Sequence, residues 1–401
     1  MSSNDDLMIG VIGAGGRGAL AWDAHRPGKG SRVVVGCDVV DRSIARAKER
    51  FRERFGEDLP IVGDYREVLD RDDIDAVFVT SPDYLHEEHA AAALDAGKHV
   101  YLEKPMAITI EGCDHILRAA RDSGKRLYLG HNMRHLDFTR KMKALIDGGA
   151  IGEPKVGWCR HFVSYGGDAY FKDWHAERRY STGLLLQKAA HDIDILHWLL
   201  GAYTTRVNAM GALTLYDQIT DRHAPDDAPP WPPSTSPPTW PPLSQTRMNP
   251  VIDVEDVSMM LMQLEHGRLA SYQQCHYTPD AWRNYTIIGT EGRVENFGDE
   301  PGNAVVRLWN RRVPHNPHGD EEYPIPPASG EHGGADPRIV AEFVRYAREG
   351  GRIATSAVAA RNSVAAGYMA TESLRNGGVP MDVPPVDAGL AAYFDPDTVR
   401  P

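Results

Sequence analysis

The sequence predicts an α/β chain of two domains. The first is a doubly wound parallel sheet over residues 1–130, and the second is an α+β domain over 131–401 built on an open, largely antiparallel sheet. Three observations predict this. Up to about residue 130, short continuous apolar runs alternate with helical patterns of ten or more residues, the rhythm of βαβ units. After about residue 135, β-type runs follow one another without helices between them. A glycine cluster closes the first apolar run, where the first strand of such a sheet turns into a helix.

Each element has its own signal. Residues 7–13 form an apolar run ending in glycine, and Val33, Val34 and Val35 form a second strand core that ends at Asp38. Residues 43–55 read as a charged amphipathic helix. Residues 76–79 are a buried strand, 85–96 an Ala-rich helix stopped by Gly97, and 99–102 the fifth strand. Residues 111–122 are a helix stopped by Gly124, and 127–129 a strand. Strands that are apolar throughout imply a sheet covered on both faces. Beyond the junction, 138–147 reads as a helix, 155–165 as a strand and 184–200 as one helix. Residues 207–216, 257–265, 268–276 and 285–289 read as strands, with His266 and Gly267 as a hairpin turn. Asp336 and Pro337 read as an N-cap followed by proline at the first helical position, leading into helices at 338–348 and 357–375. Residues 224–250 stand apart: ten of the chain's 28 prolines lie here, with Trp231 and Trp240. Proline lacks the amide hydrogen and fixes φ, so this segment reads as an inserted extended loop.

Composition narrows the function. The chain has 401 residues, which suits two domains. Its 44 Lys and Arg against 56 Asp and Glu give a formal net charge of −12, which argues against nucleic acid or an anionic membrane as the main partner. The four cysteines, Cys37, Cys113, Cys159 and Cys275, are widely spaced and make neither a disulfide framework nor a Cys-type zinc site. The start of the chain is polar and acidic, unlike a signal peptide, and no apolar run reaches the ~18 residues of a membrane span. A cytoplasmic protein is expected.

The glycine cluster is Gly13-x-Gly15-Gly16-Arg17-Gly18. In a dinucleotide fingerprint the first glycine makes the tight turn, the second lets backbone approach a pyrophosphate, and the third lets helix and strand pack closely. The phosphates then lie at the positive end of a helix. Asp38, 20 residues after Gly18, ends the second strand, where a carboxylate suits a ribose 2′-hydroxyl and repels a 2′-phosphate. The first domain therefore reads as a Rossmann domain, with NAD expected ahead of NADP; Arg42 nearby tempers that preference. The fifth strand runs into Glu103-Lys104-Pro105, at the carboxyl end of the sheet where ligands bind.

With these residues in view, the chain resembles the Gfo/Idh/MocA family of glucose–fructose oxidoreductases and inositol dehydrogenases. The resemblance covers nearly the whole length. It is carried by the glycine fingerprint, by residues 80–86 and by 96–100 leading into Glu103-Lys104-Pro105. Residues 130–134, the run His191-Asp192-Ile193-Asp194 before Trp198, 289–292, and 332–334 with Asp336 carry it further. It implies an NAD-dependent oxidoreductase acting on a sugar, glycoside or cyclitol, and a homodimer or homotetramer formed through the open sheet. It implies that Lys104 and His191 are catalytic and share the proton relay. Gly13, Gly15, Gly16, Arg17, Gly18, Asp38, Ser81, Pro82, His86, Glu103, Lys104 and Asn132 would contact the cofactor, and Arg134, Gln187, Lys188 and Asp194 the substrate. Asp194 is at i+3 from His191 and shares its helix face.

One departure stands out. Inositol-dehydrogenase-like members usually carry an Asp four residues before the histidine; here that residue is Gln187, followed by Lys188. Glutamine cannot exchange protons, so either Lys104 and His191 act without it or Lys188 contributes. Two alternatives accompany the main reading: a glycosidase that uses permanently bound NAD for transient oxidation, and a non-catalytic dinucleotide-binding sensor. No metal site is expected. His86 and His89 are spaced i, i+3, but His86 belongs to the nicotinamide loop by resemblance and His89 reads as helix surface, while His197 is at i+6 from His191 and faces away. Trp158, His161, Tyr165, Tyr170 and Trp174 read equally as sugar-stacking aromatics or as core and interface residues.

Overall fold

The computed structural model describes residues 6–224, 227 and 239–394. The proline-rich segment therefore falls partly outside the described residues, and Trp231 with it. The described chain divides into two compact units. The first comprises the described parts of Met1–His135, Gly330–Arg361 and Val386–Thr398; the second comprises those of Leu136–Ser329 and Asn362–Pro385.

In the first unit, β1 (Leu7–Ile12), β2 (Ser31–Cys37), β3 (Ile61–Val62), β4 (Ala76–Val79), β5 (His99–Leu102) and β6 (Leu127–Leu129) form one parallel sheet in the order β3-β2-β1-β4-β5-β6. Helices α1 (Asp41–Phe55), α2 (Tyr65–Leu69), α3 (His86–Asp95) and α4 (Ile110–Ser123) alternate with the strands. The order reverses between β1 and β4, and at such a switch point the carboxyl ends of the strands open a crevice. β1 and β4 are buried along nearly their whole length, as their continuous apolar sequence demands. Gly56 and Gly124, both left-handed, end α1 and α4. The β3–α2 pair was not legible in the sequence; α2 is nucleated by a capping box between Asp64 and Glu67.

In the second unit, α5 (Asp137–Asp147) precedes β7 (Pro154–Phe162). Short helices α6 (Gly166–Tyr170), α7 (Arg178–Ser181) and α8 (Leu184–Gln187) lead to α9 (Ala189–Leu200). Then come β8 (Thr204–Ala212), β9 (Val257–Leu264), β10 (Leu269–Cys275), β11 (Trp282–Gly289), β12 (Arg293–Phe297), β13 (Val305–Trp309) and β14 (Glu321–Pro324). Helices α10 (Ala335–Glu349) and α11 (Ala357–Arg375), the short strand β15 (Met381–Asp382) and α12 (Ala388–Phe394) complete the chain. The strands of this unit form a nine-stranded sheet, β14-β13-β12-β11-β7-β10-β9-β8-β15, antiparallel except between β7 and β10. β9 alternates buried and exposed along its length, so one face of the sheet there is covered and the other open. Helix α10 belongs to the first unit, where Ile339, Val340 and Phe343 pack with Ile9, Phe78, Tyr101 and Tyr128. Among the described residues no helix is long and apolar enough to cross a membrane.

Four local expectations are corrected. The helix after the glycine cluster is a 3₁₀ helix (Arg17–Ala24), entered from Gly16, which has no side chain to cap it. The helix expected over 184–200 is divided at Lys188 into α8 and α9, although Lys188 itself keeps helical φ and ψ (−89° and −42°); Gly367 of α11 lies against the backbone of Leu185 and Leu186 in α8. Asp336 is not an N-cap. Gly334, with φ 80°, holds that position, and Asp336 faces Arg17 instead, a charge-assisted contact stronger than a cap. His89 is buried rather than on the surface. Its Nδ1 lies 2.9 Å from Ser81 Oγ, its ring packs on Tyr65 with centroids 4.4 Å apart, and burial pushes its basicity down to about 4.

Candidate active site

The first unit gathers the expected cofactor residues at the carboxyl ends of β1, β2, β4 and β5. Gly13 follows β1 with φ +87°, and a Cβ there would lie 2.6 Å from the Ser81 nitrogen. A Cβ on Gly18 would lie 2.4 Å from the Gly13 carbonyl oxygen. Neither position accepts a side chain, so the turn and its close approach require glycine. At the end of β2 the Gly15 amide donates to Asp38 Oδ2 (2.8 Å) and the Val40 amide to Oδ1 (3.0 Å). Each carboxylate oxygen keeps acceptor capacity for a ribose hydroxyl. After β4, His86 is buried with Nδ1 2.7 Å from the Pro105 carbonyl oxygen and Nε2 2.9 Å from that of Ser81, so it ties the Ser81-Pro82 loop to the Lys104-Pro105 loop.

Arg17 has a role that the fingerprint alone does not reveal. Its Nε donates to Glu103 Oε1 (2.7 Å), and its Nη1 and Nη2 donate to Asp336 (2.5 and 3.0 Å). Asn132 Nδ2 donates to the same carboxylate (3.0 Å), and His332 Nδ1 lies 2.8 Å from it. Tyr101 donates to Glu103 Oε1 and the Lys104 amide to Oε2. Arg17, Glu103 and Asn132, each expected to touch the cofactor, are thus joined through Asp336. Burial alone would raise the Asp336 carboxyl, but the bonds from His332 and Arg17 hold it well below the usual range. Arg134 is buried and spends one of its donors on the Ala354 carbonyl (2.6 Å).

The second unit holds Gln187, Lys188, His191 and Asp194, all buried, along α8, the Lys188 joint and α9. Beside them lies a group that sequence reading left without a role. Asp192 is fully buried and faces the three central strands β11, β7 and β10. It accepts from the hydroxyls of Tyr285 and Tyr272 (the latter at 3.0 Å), and His161 Nδ1 lies 3.1 Å away. Arg283 Nε is 2.9 Å from Asp192 Oδ1 but off the line of a hydrogen bond, so that contact is coulombic. Strand register assembles this layer: Arg283 pairs with His161, and Tyr285 and Tyr272 both pair with Cys159. Burial would raise the Asp192 carboxyl; Arg283 and His161 outweigh it and hold it well below the carboxylate range. Burial also pushes His161 down to about 3, leaving it neutral. His197 faces elsewhere, with Nε2 2.7 Å from Thr204 Oγ1. One signal could have exposed Asp192: on α9 it shares the i+3, i+4, i+7 stripe of Ile195, Leu196 and Leu199, so a carboxylate sits on the apolar face.

Comparison with known proteins agrees with both units. Residues 7–131 match the model described as the oxidoreductase family NAD-binding Rossmann fold, and residues 143–383 match the C-terminal α/β domain of the same family. The chain belongs to the Gfo/Idh/MocA oxidoreductase family. An inositol 2-dehydrogenase of Azotobacter vinelandii is 36% identical over 198 residues, which cover 48% of this chain and 54% of that relative. The chain thus spans about half the length of the curated relatives of that name. Two solved structures share the fold. A levoglucosan dehydrogenase in complex with NADH and levoglucosan superposes with TM-score 0.72 at 24% identity, over 95% of this chain and 100% of that one. An aldose–aldose oxidoreductase of Caulobacter crescentus complexed with glycerol superposes with TM-score 0.70 at 18% identity, over 94% and 100%. The cradle of Gly13, Gly15 and Gly18, closed to any side chain and faced by the Asp38 carboxylate, fits the dinucleotide that the Gfo/Idh/MocA family model names.

Proposed function

We propose that this protein is an NAD-dependent oxidoreductase that interconverts a secondary alcohol and a ketone on a sugar, glycoside or cyclitol. The observation that carries the reading is the Asp38 carboxylate, bound by the Gly15 and Val40 amides at the end of β2 in a chain of this family. A carboxylate there accepts from a ribose diol and repels a 2′-phosphate, which favours NAD over NADP. The first unit then holds the cofactor. Gly13 to Gly18 present backbone to the pyrophosphate, while Ser81, Pro82, His86 and Asn132 shape the nicotinamide end, with Arg17 and Glu103 bracing the loop. The second unit supplies Gln187 and Asp194 as hydrogen-bonding groups for substrate hydroxyls.

The bound cofactor supplies the hydride acceptor or donor. The chain's own residues handle the proton. Lys104, half-buried after β5, binds the reacting oxygen and stabilises the charge that develops there as the hydroxyl proton leaves. His191 moves that proton, as a general base in oxidation and a general acid in reduction. The relatives named above for inositol and levoglucosan support a polyhydroxylated ring as substrate. The open face of the second sheet supports association into a homodimer or homotetramer. Action in the cytoplasm belongs to the same reading and accords with four widely spaced cysteines that make no disulfide framework.

The test mixes pure protein with NAD, and separately NADP, and a panel of pyranosides and cyclitols, and follows absorbance of the reduced cofactor. Turnover of at least one ring polyol with NAD, and its loss in Lys104→Ala, is the expected result. No turnover together with no dinucleotide binding by calorimetry overturns the proposal.

A further inference from the structure

Lys188 is a buried lysine whose ammonium has no ion-pair partner among the described residues. Its Nζ lies 3.4 Å from the Tyr165 hydroxyl, over the rings of Tyr165 and Tyr170 at 5.5 and 5.1 Å from their centroids. The Tyr170 ring also meets His276 edge-on, at 5.4 Å. His276 is fully buried, and neither of its nitrogens has a partner among the described residues. Tyr165 is half-buried and thus the more exposed member of the pair. Lys188 sits at the joint between α8 and α9, beside Gln187 and three residues before His191.

An unpaired buried ammonium is costly, and an apolar side chain of similar length would fill this aromatic niche without that cost. Structure alone does not explain the lysine. It does lie one residue from Gln187, which stands where inositol-dehydrogenase-like relatives carry a proton-exchanging carboxylate.

We propose that Lys188, reached through Tyr165, is the proton acceptor that replaces that carboxylate. This rests on the oxidoreductase reading and extends its relay. In oxidation the O–H bond of the substrate breaks, and the proton, taken first by His191, arrives at Tyr165 Oη. Tyr165's own O–H proton moves to the lone pair of the uncharged Lys188 Nζ, which becomes an ammonium. The hydride leaves the carbinol carbon for the nicotinamide of NAD, so the alcohol is oxidised and the dinucleotide reduced. The ammonium returns its proton to water before the next turnover.

The surroundings suit this role. Burial pushes the Lys188 ammonium down to about 7, with Arg283 of β11 adding to the effect and Asp192 of α9 and Asp299, just after β12, opposing it. The neighbouring bases cannot substitute for it, because burial holds His161 at about 3 and His276 far below its ordinary value.

Two measurements test the proposal. In protein labelled with 13C at lysine Cε, one resonance should titrate with a midpoint near 7 and be absent from Lys188→Met; a midpoint near 10.5 overturns the proposal. In the pH profile of kcat/KM for oxidation, wild type should rise to a plateau through the same value. Lys188→Ala should lose ~100-fold in kcat with little change in KM, and ethylamine should restore part of it; Tyr165→Phe should lose the same limb. Turnover with an unmoved limb in Lys188→Ala, or inactivity that amines do not rescue, overturns the relay alone. Wild type that turns over no ring polyol overturns the oxidoreductase reading, and the relay with it, even where the lysine midpoint is near 7.

Discussion

Asp192 shows how one residue can carry a layer of the structure. It is a carboxylate closed off from the surface, satisfied by two tyrosine hydroxyls and His161, and balanced by the buried Arg283. Removing one partner of such a pair leaves the other charge buried and uncompensated, at a cost of ~3–5 kcal/mol. Asp192→Asn should therefore lower stability by that order in a urea titration, whereas Tyr272→Phe, which deletes one hydroxyl donor, should cost only ~1–2 kcal/mol. Comparable losses in the two variants would show that the charge balance is not what matters. At this scale the sequence was legible where a residue's type fixes its task. Gly13 and Gly18 could be placed because neither backbone position accepts a side chain, and Asp38 because a carboxylate ending β2 fits the fingerprint's spacing. Asp192 could not be placed with its partners, because Arg283, Tyr272 and Tyr285 reach it only through the register of strands far apart in the chain.

The elements of the first unit depend on the Arg17–Asp336 contact, which fixes the glycine turn to the first turn of α10. The Asp336 carboxyl binds its proton less readily in the folded chain than in the unfolded one. Its contribution to stability is therefore complete above the unfolded value of ~3.9 and is lost as pH falls below it. Asp336→Asn should flatten the fall of the melting temperature below about pH 4. It should also weaken NAD binding ~10-fold or more at pH 7 by freeing Arg17 and the turn that it braces. A variant that keeps both the acid limb and the NAD affinity of wild type would refute this. Elements with a strong period were readable in advance: α1, α4, α5 and the central strands of both sheets follow from apolar spacing. The two-residue strands β3 and β15 and the short α2, α6 and α7 were not, because so few residues carry no period and exist through pairing and packing. The division at Lys188 was equally hidden, since apolar residues continue on both sides of it and Lys188 itself keeps helical dihedrals.

For the molecule as a whole, the open face of the nine-stranded sheet is the surface we propose for association between copies. Met259 and Leu261 on β9, Met210 on β8 and Leu269 on β10 are 55%, 62%, 71% and 55% exposed. The register sets Met210 against Met259, while Leu261 lies between Asn208 of β8 and Ser271 of β10, and Leu269 faces Gln263. Large apolar side chains gathered on one open sheet face mark a candidate interaction surface. A twofold interface needs one self-complementary patch, which a flat sheet face supplies. We therefore expect a homodimer or homotetramer in solution, by light scattering coupled to size exclusion. Leu261→Glu combined with Met259→Lys should yield monomers, because a charge stripped of water at the centre of such a contact costs more than the patch contributes. The secondary structure should stay unchanged by circular dichroism, since both side chains point away from the core of their own unit. A wild-type protein that is monomeric at 100 μM, or a double variant that keeps its oligomeric mass, would show that this face is not the interface.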